Sequence, residues 1–239
     1  MKTVLIVGGS RGIGKSLAKT LIKDYNVIIT GKSLENLKAA CNNIGNNISY
    51  IQYDLKDTKN INIMFEKALR QSNNKINYLI YSAAVSDIRA VKMFDYMYNV
   101  DLFHINFFSF VETAKLFAKQ KFSETDKGKI ITISTLETQI MSSGMSIYTA
   151  SKSALEAFCI TMAREYAKRN IIINGIRPAY VKTDMAKNAE SIIPELVDKY
   201  PFGLLYPEDV VNVLLYLLSD KANNFTGKFL DINNGYFAK

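Results

Sequence analysis

Histidine, cysteine and proline are scarce in this sequence: one, two and four respectively in 239 residues. Cys41 and Cys159 lie far apart with no further ligand-like residue at metal spacing. Neither a zinc site nor a disulfide framework is expected, and the two read as ordinary thiols of a reducing compartment. The single His104 cannot build a usual metal site alone; flanked by Phe103, Ile105, Phe107 and Phe108, it reads as a helix-packing residue. Long apolar runs are also lacking. Val213 to Leu218 falls far short of a membrane span, and the apolar residues ahead of Gly8 are too few for the core of a signal peptide. A soluble, cytoplasmic chain with no membrane partner is therefore expected. Acid is the last shortage: 22 Asp and Glu stand against 30 Lys and Arg, a net charge of +8. That surplus fits nucleic acid, an anionic small molecule or an acidic carrier protein. The lysines are scattered and do not interleave with aromatics, so no nucleic-acid partner is expected.

What is present is globular. With 48% hydrophobic and 22% charged residues, no internal repeat and no linker, the chain is expected to be one α/β domain spanning 1–239. Its organising stretch is residues 2–24. Val4 to Val7 is a short apolar run, as in a strand buried on both faces of a parallel sheet. Ile13, Leu17, Leu21 and Ile22 then recur at helical spacing, so Gly8, Gly12 and Gly14 fall where a strand feeds a helix. Free N–H groups and the positive end of the helix dipole face an incoming phosphate there. Glycine lets a pyrophosphate approach the backbone.

Further strands are expected at Asn26 to Thr30, Ile48 to Tyr53, Ile76 to Tyr81, Lys129 to Ile133, Ile171 to Ile176 and Phe225 to Ile232. After the second strand, where a dinucleotide fold meets the adenosine ribose, there is no acid. Lys32 and Arg11 supply two cations that can flank a 2'-phosphate, which predicts NADP(H) over NAD(H). Asp54, at a strand end, is positioned to contact the adenine. A long helix is expected over 92–121 with Asn106 inside its apolar surface, where a buried amide needs partners. Tyr148 and Lys152 share a helix face at i and i+4. Bringing a free tyrosine from pKa about 10 to near 7 takes about 4 kcal/mol. A nearby ammonium and a nicotinamide cation can supply that, making the phenol a proton donor to a carbonyl.

In order along the chain stand Gly8-x-x-x-Gly12-x-Gly14, Asp54, Asn106, a hydroxyl at 134 or 135, Tyr148-x-x-x-Lys152, Pro178 with Thr183, and Thr226-Gly227. With these motifs the chain resembles the short-chain dehydrogenases/reductases, and in particular 3-oxoacyl thioester reductases, over nearly its whole length. The resemblance implies a single-domain, Rossmann-type doubly wound parallel sheet of about seven strands with helices on both faces. It implies a catalytic set of Asn106, Thr135, Tyr148 and Lys152, with Tyr148 as general acid or base, Lys152 lowering its pKa, and Asn106 supporting a water in a proton relay. It also implies coenzyme contacts from Gly8, Ser10, Arg11, Gly12, Ile13, Gly14, Lys32, Asp54, Leu55, Ser82, Ala83, Ala84, Tyr148, Lys152, Val181 and Thr183, and no metal.

Three positions depart from the family pattern. Tyr81-Ser82-Ala83-Ala84 replaces Asn-Asn-Ala-Gly, so a glycine conformation at 84 would be strained. Ala179 replaces glycine. Thr135 stands where a serine orients the substrate carbonyl, beside Ser134; on an extended strand only one of the two faces the substrate. The expected activity is NADPH-dependent carbonyl reduction, with substrate contacts from 136–147 and 184–206. A 3-oxoacyl thioester, a sugar and a secondary alcohol remain open as substrates, and a catalytically weak NADP(H) sensor is the rival. A homotetramer or homodimer is expected through helices 92–121 and 148–168, on an aromatic surface at Phe103, Phe107, Phe108 and Phe110.

Overall fold

Seven short strands, β1 (Lys2–Val7), β2 (Tyr25–Gly31), β3 (Ile48–Gln52), β4 (Tyr78–Tyr81), β5 (Gly128–Ile133), β6 (Ile171–Pro178) and β7 (Lys228–Ile232), form one sheet. Their order is β3-β2-β1-β4-β5-β6-β7, and every neighbouring pair is parallel. The computed structural model describes residues 1–184 and 197–237. The helices among these are α1 (Gly12–Leu21), α2 (Leu34–Ile44), α3 (Ile61–Gln71), α4 (Tyr96–Phe103), α5 (Ser109–Phe117), α6 (Glu137–Ile140), α7 (Ser146–Tyr166) and α8 (Pro207–Leu218).

Both faces of the sheet are covered, which is why its central strands are continuously apolar rather than alternating. In β1, Val4 and Ile6 pack with Leu17, Leu37 and Leu214 from α1, α2 and α8. Leu5 and Val7 face the other way, onto Phe65, Phe110 and Leu155 from α3, α5 and α7. Each fully buried side chain of this size contributes roughly 1.5–3 kcal/mol relative to exposure. Strand order reverses between β1 and β4, so the carboxyl ends of these two strands open a crevice, the usual ligand position in such sheets.

Several boundaries differ from expectation. The third strand ends at Gln52, the fourth begins at Tyr78 and the last begins at Lys228. The long helix expected over 92–121 is shorter and runs without interruption from Tyr96 to Phe117. A 3-10 turn at Val91–Met93 precedes α4, which starts where the Asp95 carboxylate accepts from the Tyr98 N–H at 2.7 Å, and a π turn at His104–Phe108 joins α4 to α5. Of the expected aromatic surface, Phe110 is fully buried, Phe103 and Phe107 are half-buried and Phe108 is well exposed. His104 is held in packing as expected, its Nδ1 lying 2.9 Å from Thr58 Oγ1. Among the described residues no group of His, Cys, Asp or Glu is arranged to hold a metal, and no helix is long and apolar enough to cross a membrane.

Candidate active site

The turn leaving β1 is built against two neighbouring strand ends. The Gly8 and Gly9 N–H groups both donate to Thr30 O, at 3.2 and 3.0 Å. Gly8 has φ +88°, and a Cβ there would lie 2.5 Å from Ala83 N. A Cβ on Gly14 would lie 2.3 Å from Gly8 O. Glycine is thus required at these two positions by packing within the protein, before any ligand is considered. Helix α1 opens at Gly12 with no cap from the Arg11 side chain and no acid in its first turn. Its first N–H groups and positive end are left for an anion. Ser10 packs beside Gly31, Ile13 rests on the core, and the Thr183 methyl lies 3.5 Å from where a Gly12 Cβ would stand.

Beyond β2 the structure brings in an acid that is remote in sequence. Asp54, leaving β3, pairs with Lys32 at 2.9 Å and accepts from the Lys56 N–H at 3.1 Å. Burial raises the Asp54 carboxyl, but the Lys32 hydrogen bond and charge outweigh it and hold the group below its usual range. Lys32 is therefore a paired cation. The pair is exposed, and such pairs are worth about 0–1 kcal/mol. Arg11 is exposed, and Leu55 is half-buried against the core.

The loop after β4 lies across the crevice. Ser82 N–H donates to Val7 O at 2.9 Å, and Ala83 closes on Gly8. Ala84 is not among the residues with positive φ, so the strain expected of a residue replacing glycine there does not arise; the same holds for Ala179. Asn106, fully buried in the π turn, accepts from Val85 N–H at 2.8 Å. It donates to Val85 O at 2.9 Å and to Ser151 Oγ at 3.0 Å. Ser151 in turn donates to Tyr148 O at 2.7 Å. Both amide protons are thus committed to tying the loop to α7. Tyr81 supports the same turn from below, its phenol bonded to Ile105 O and Ser109 Oγ and its ring packed edge-on to Phe110 at 5.2 Å. The sequence marked Tyr81 only as a departure; its buried position made this contact.

Where β5 ends, neighbouring hydroxyls part company. Ser134 turns into the interior and donates to Glu156, whereas the Thr135 hydroxyl accepts from the Glu137 N–H at 3.3 Å and stands near the Tyr148 phenol, whose proton affinity it lowers. Lys152 is buried with its ammonium donating to Ile133 O at 2.8 Å. Burial pushes that ammonium down to about 8, with the Glu156 charge pulling the other way. Burial pushes the phenol of Tyr148 up to about 12, opposed by the Thr135 hydroxyl and reinforced by Glu137. Within the chain alone desolvation sets the phenol, and the ammonium is turned to a backbone carbonyl.

The β6 end closes the arrangement. Val181 is buried, paired with Leu205, and Lys182 N–H donates to Leu205 O at 2.8 Å, which sets Thr183 beside the glycine turn. On the other side of Tyr148 a small cavity is lined by Asp87, Arg89, Tyr98, Leu102 and Ile147. Arg89 there pairs with Asp87 at 2.8 Å and lies over the Tyr98 ring at 4.7 Å. Of the expected substrate-side segment 184–206, residues 185–196 lie outside the described residues. The structure thus gathers the glycine turn, the 82–85 loop, Asn106, Thr135, Tyr148, Lys152 and Thr183 at one end of the sheet, with Lys32 and Asp54 at its β2–β3 edge.

Comparison with known proteins agrees with this architecture. Residues 2–192 match the short chain dehydrogenase family. The chain is 32% identical over 239 residues to carbonyl reductase family member 4 of Xenopus laevis, covering 98% of this chain and 97% of that protein. It is 32% identical over 242 residues to the 3-oxoacyl-(acyl-carrier-protein) reductase of Rickettsia felis, covering 98% and 96%. A 3-ketoacyl-(acyl-carrier-protein) reductase from Brucella melitensis, complexed with NADH, has the same fold with a TM-score of 0.90 at 19% identity over 98% of both chains. A tyrosine-to-phenylalanine variant of ElxO with NADPH bound gives 0.88 at 24% identity, covering 100% and 99%. At those identities the structures speak for the fold and the sequence matches for the lineage: the chain belongs to the short chain dehydrogenases, a family of oxidoreductases.

Proposed function

We infer that the protein is an NADPH-dependent reductase of a carbonyl group, with Tyr148 as the proton donor. The observation that carries this reading is the Thr135 hydroxyl standing near the Tyr148 phenol, with the buried Lys152 ammonium one turn further along α7. The residues fit a dinucleotide: the first N–H groups of α1 have no side-chain cap and no acid stands in its first turn. Gly8 to Gly14 would hold the diphosphate, Ser82 to Ala84 and Asp54 with Leu55 would flank the adenosine, and Val181 with Thr183 would orient the carboxamide. The reduced coenzyme supplies the hydride. Thr135 orients the substrate oxygen and donates to it. Tyr148 transfers its proton to that oxygen as charge develops there. Lys152 steadies the phenolate left behind, and Asn106 fixes the turn of α7 from which Tyr148 projects.

Thr135→Val is expected to lower kcat by about 10²-fold, as loss of one oxyanion donor does. Ser134→Ala is expected to cost about 1–2 kcal/mol of stability, with kcat within a few-fold of the parent. Full turnover by Thr135→Val together with an inactive Ser134→Ala reverses the assignment.

Coenzyme choice rests on Lys32 and Arg11. Because the Lys32–Asp54 pair is exposed, a 2'-phosphate competes for the lysine at little cost. NADPH is expected to bind about tenfold more tightly than NADH, a difference of about 1.4 kcal/mol. Asp54→Asn widens that ratio and Lys32→Ala narrows it. Fluorescence titration measures both, and tighter binding of NADH rejects the preference.

The 32% identity to a 3-oxoacyl-(acyl-carrier-protein) reductase and the net charge of +8 favour a 3-oxoacyl thioester on an acidic carrier. Sugars and secondary alcohols belong in the same substrate panel. Tight NADPH binding without turnover on any of them would favour the sensor. Exposed Val91 and Met93 in the turn before α4, with Tyr96 and Met97 in its first turn, support a homotetramer or homodimer.

A further inference from the structure

We propose that Glu156 and Arg177 form a positioning pair that keeps the Lys152 ammonium charged and the Thr135 hydroxyl seated; the proposal rests on the roles just given to those two residues. Glu156 stands one helical turn beyond Lys152 on α7 and is only 8% exposed. Its carboxylate accepts from groups on two other strands and a helix. Ser134 Oγ reaches it from the end of β5, and Thr138 Oγ1 from α6 at 3.0 Å. Arg177 on β6 grips it through Nε at 2.9 Å and Nη2 at 2.7 Å.

A buried ion pair is weak evidence for stability, because apolar residues of the same volume often do as well. What this pair does is locate charge. Lys152 is buried with a backbone carbonyl at 2.8 Å, a setting in which an ammonium sheds its proton unless a carboxylate is near. Glu156 stands one turn on along the same helix face, without a direct ion pair to Lys152, and its charge favours the protonated ammonium against the burial that pushes it down. The charged groups around it alternate in sign: Lys152 on its own helix, Arg177 on β6 and, through Arg177 Nη1 at 3.1 Å, Asp231 on β7. From α6 the neutral Thr138 faces Glu156, while Glu137 is turned to Ser142. The Phe229 ring lies against Arg177, 5.2 Å from centroid to guanidinium.

The same carboxylate holds the loop that carries Thr135. Thr138 Oγ1 lies between Glu156 and Thr135 O, 2.9 Å from the latter, and Ser134 precedes Thr135 in the chain. Releasing Glu156 therefore loosens the hydroxyl that meets Tyr148 and lowers the proton affinity of Lys152 together.

The test uses the full chain, with Glu156→Gln as the isosteric, uncharged variant. Carbon-13 labelled lysine allows the Lys152 Cε resonance to be titrated without turnover, its assignment fixed by its disappearance in Lys152→Arg. In Glu156→Gln the Lys152 titration is expected to move down by about one pH unit, a tenfold loss of proton affinity. The alkaline limb of kcat/KM is expected to move down with it, and kcat to fall about tenfold. Glu156→Asp retains the charge and shortens the reach; its Lys152 titration stays near that of the parent while kcat falls. It also serves if Glu156→Gln does not fold, in which case a Lys152 titration displaced in Glu156→Asp overturns the proposal. An unmoved titration and pH profile in Glu156→Gln, with activity falling only as the folded fraction falls, also overturns it. A Tyr148→Phe variant that turns over like the parent defeats the reading of Tyr148 instead, and the lysine titration still decides the pair.

Discussion

Phenylalanine at position 148 is expected to lower kcat about 10³-fold, the scale of a lost general acid, while the dissociation constant of NADPH changes less than about threefold. The ring would keep its packing, and only the hydroxyl that meets Thr135 would go. With the phenol pushed up to about 12 by burial, the protonated form is fully populated at neutral pH, as a proton donor must be. Carrying it from there to near 7 as the proton leaves takes about 7 kcal/mol of added preference for the phenolate. The Lys152 ammonium, one turn along α7, would contribute to it, together with the positive charge that a bound coenzyme would carry after hydride transfer. Because burial holds Lys152 down to about 8, its charged form falls away as pH rises through that value. Carbonyl reduction is therefore expected to decline on the alkaline side of about 8. Stopped-flow oxidation of NADPH across pH 6 to 10 measures both effects. A phenylalanine variant with parental kcat removes Tyr148 from the chemistry.

Alanine at position 8 is expected to cost at least about 3 kcal/mol of stability, lowering Tm by roughly 6–12 °C for a chain of this size. Coenzyme affinity should fall more than about tenfold. Two independent demands meet at Gly8. Its φ of +88° lies where side chains are strained, and the added Cβ would stand 2.5 Å from the Ala83 nitrogen, a backbone atom that cannot swing aside. Relief requires the 82–85 loop to retreat from the turn, and that loop is itself tied to Asn106. Thermal unfolding and coenzyme titration of the variant check the two parts. A Tm within about 2 °C of the parent and an unchanged affinity would show that turn and loop are not coupled.

The Thr135 assignment shows how far local patterning reaches. Counting back from Tyr148 pointed to Thr135, and alternation along a strand said that Ser134 must face the other way. Alternation alone leaves open which of the two faces the crevice. The destination of Ser134 was not legible, because Glu156 and Arg177 are far from it in sequence and meet only when β5, β6 and α7 are assembled. Lys32 has a partner that its own stretch of sequence does not show. The absence of acid near it in the chain was true, yet sheet order brings the end of β3 beside the end of β2, and Asp54 with it. The π turn inside the long helix was not legible, because apolar spacing does not distinguish a regular helix from one that carries a π turn.

By itself the sequence determined what is set between near neighbours: apolar runs that must be strands covered on both faces, helices with one apolar stripe, glycine at the turn after β1, and Tyr148 one turn ahead of Lys152. Only the tertiary structure decided that Tyr81 props the π turn, that Asn106 spends its amide protons on Val85 and Ser151, and that Lys152 turns to Ile133 rather than to the phenol. The physical reason is range. Backbone geometry and side-chain period are fixed by bonds along the chain, whereas burial, pairing and the pKa of a group depend on whichever distant segments the sheet order and its register bring against it.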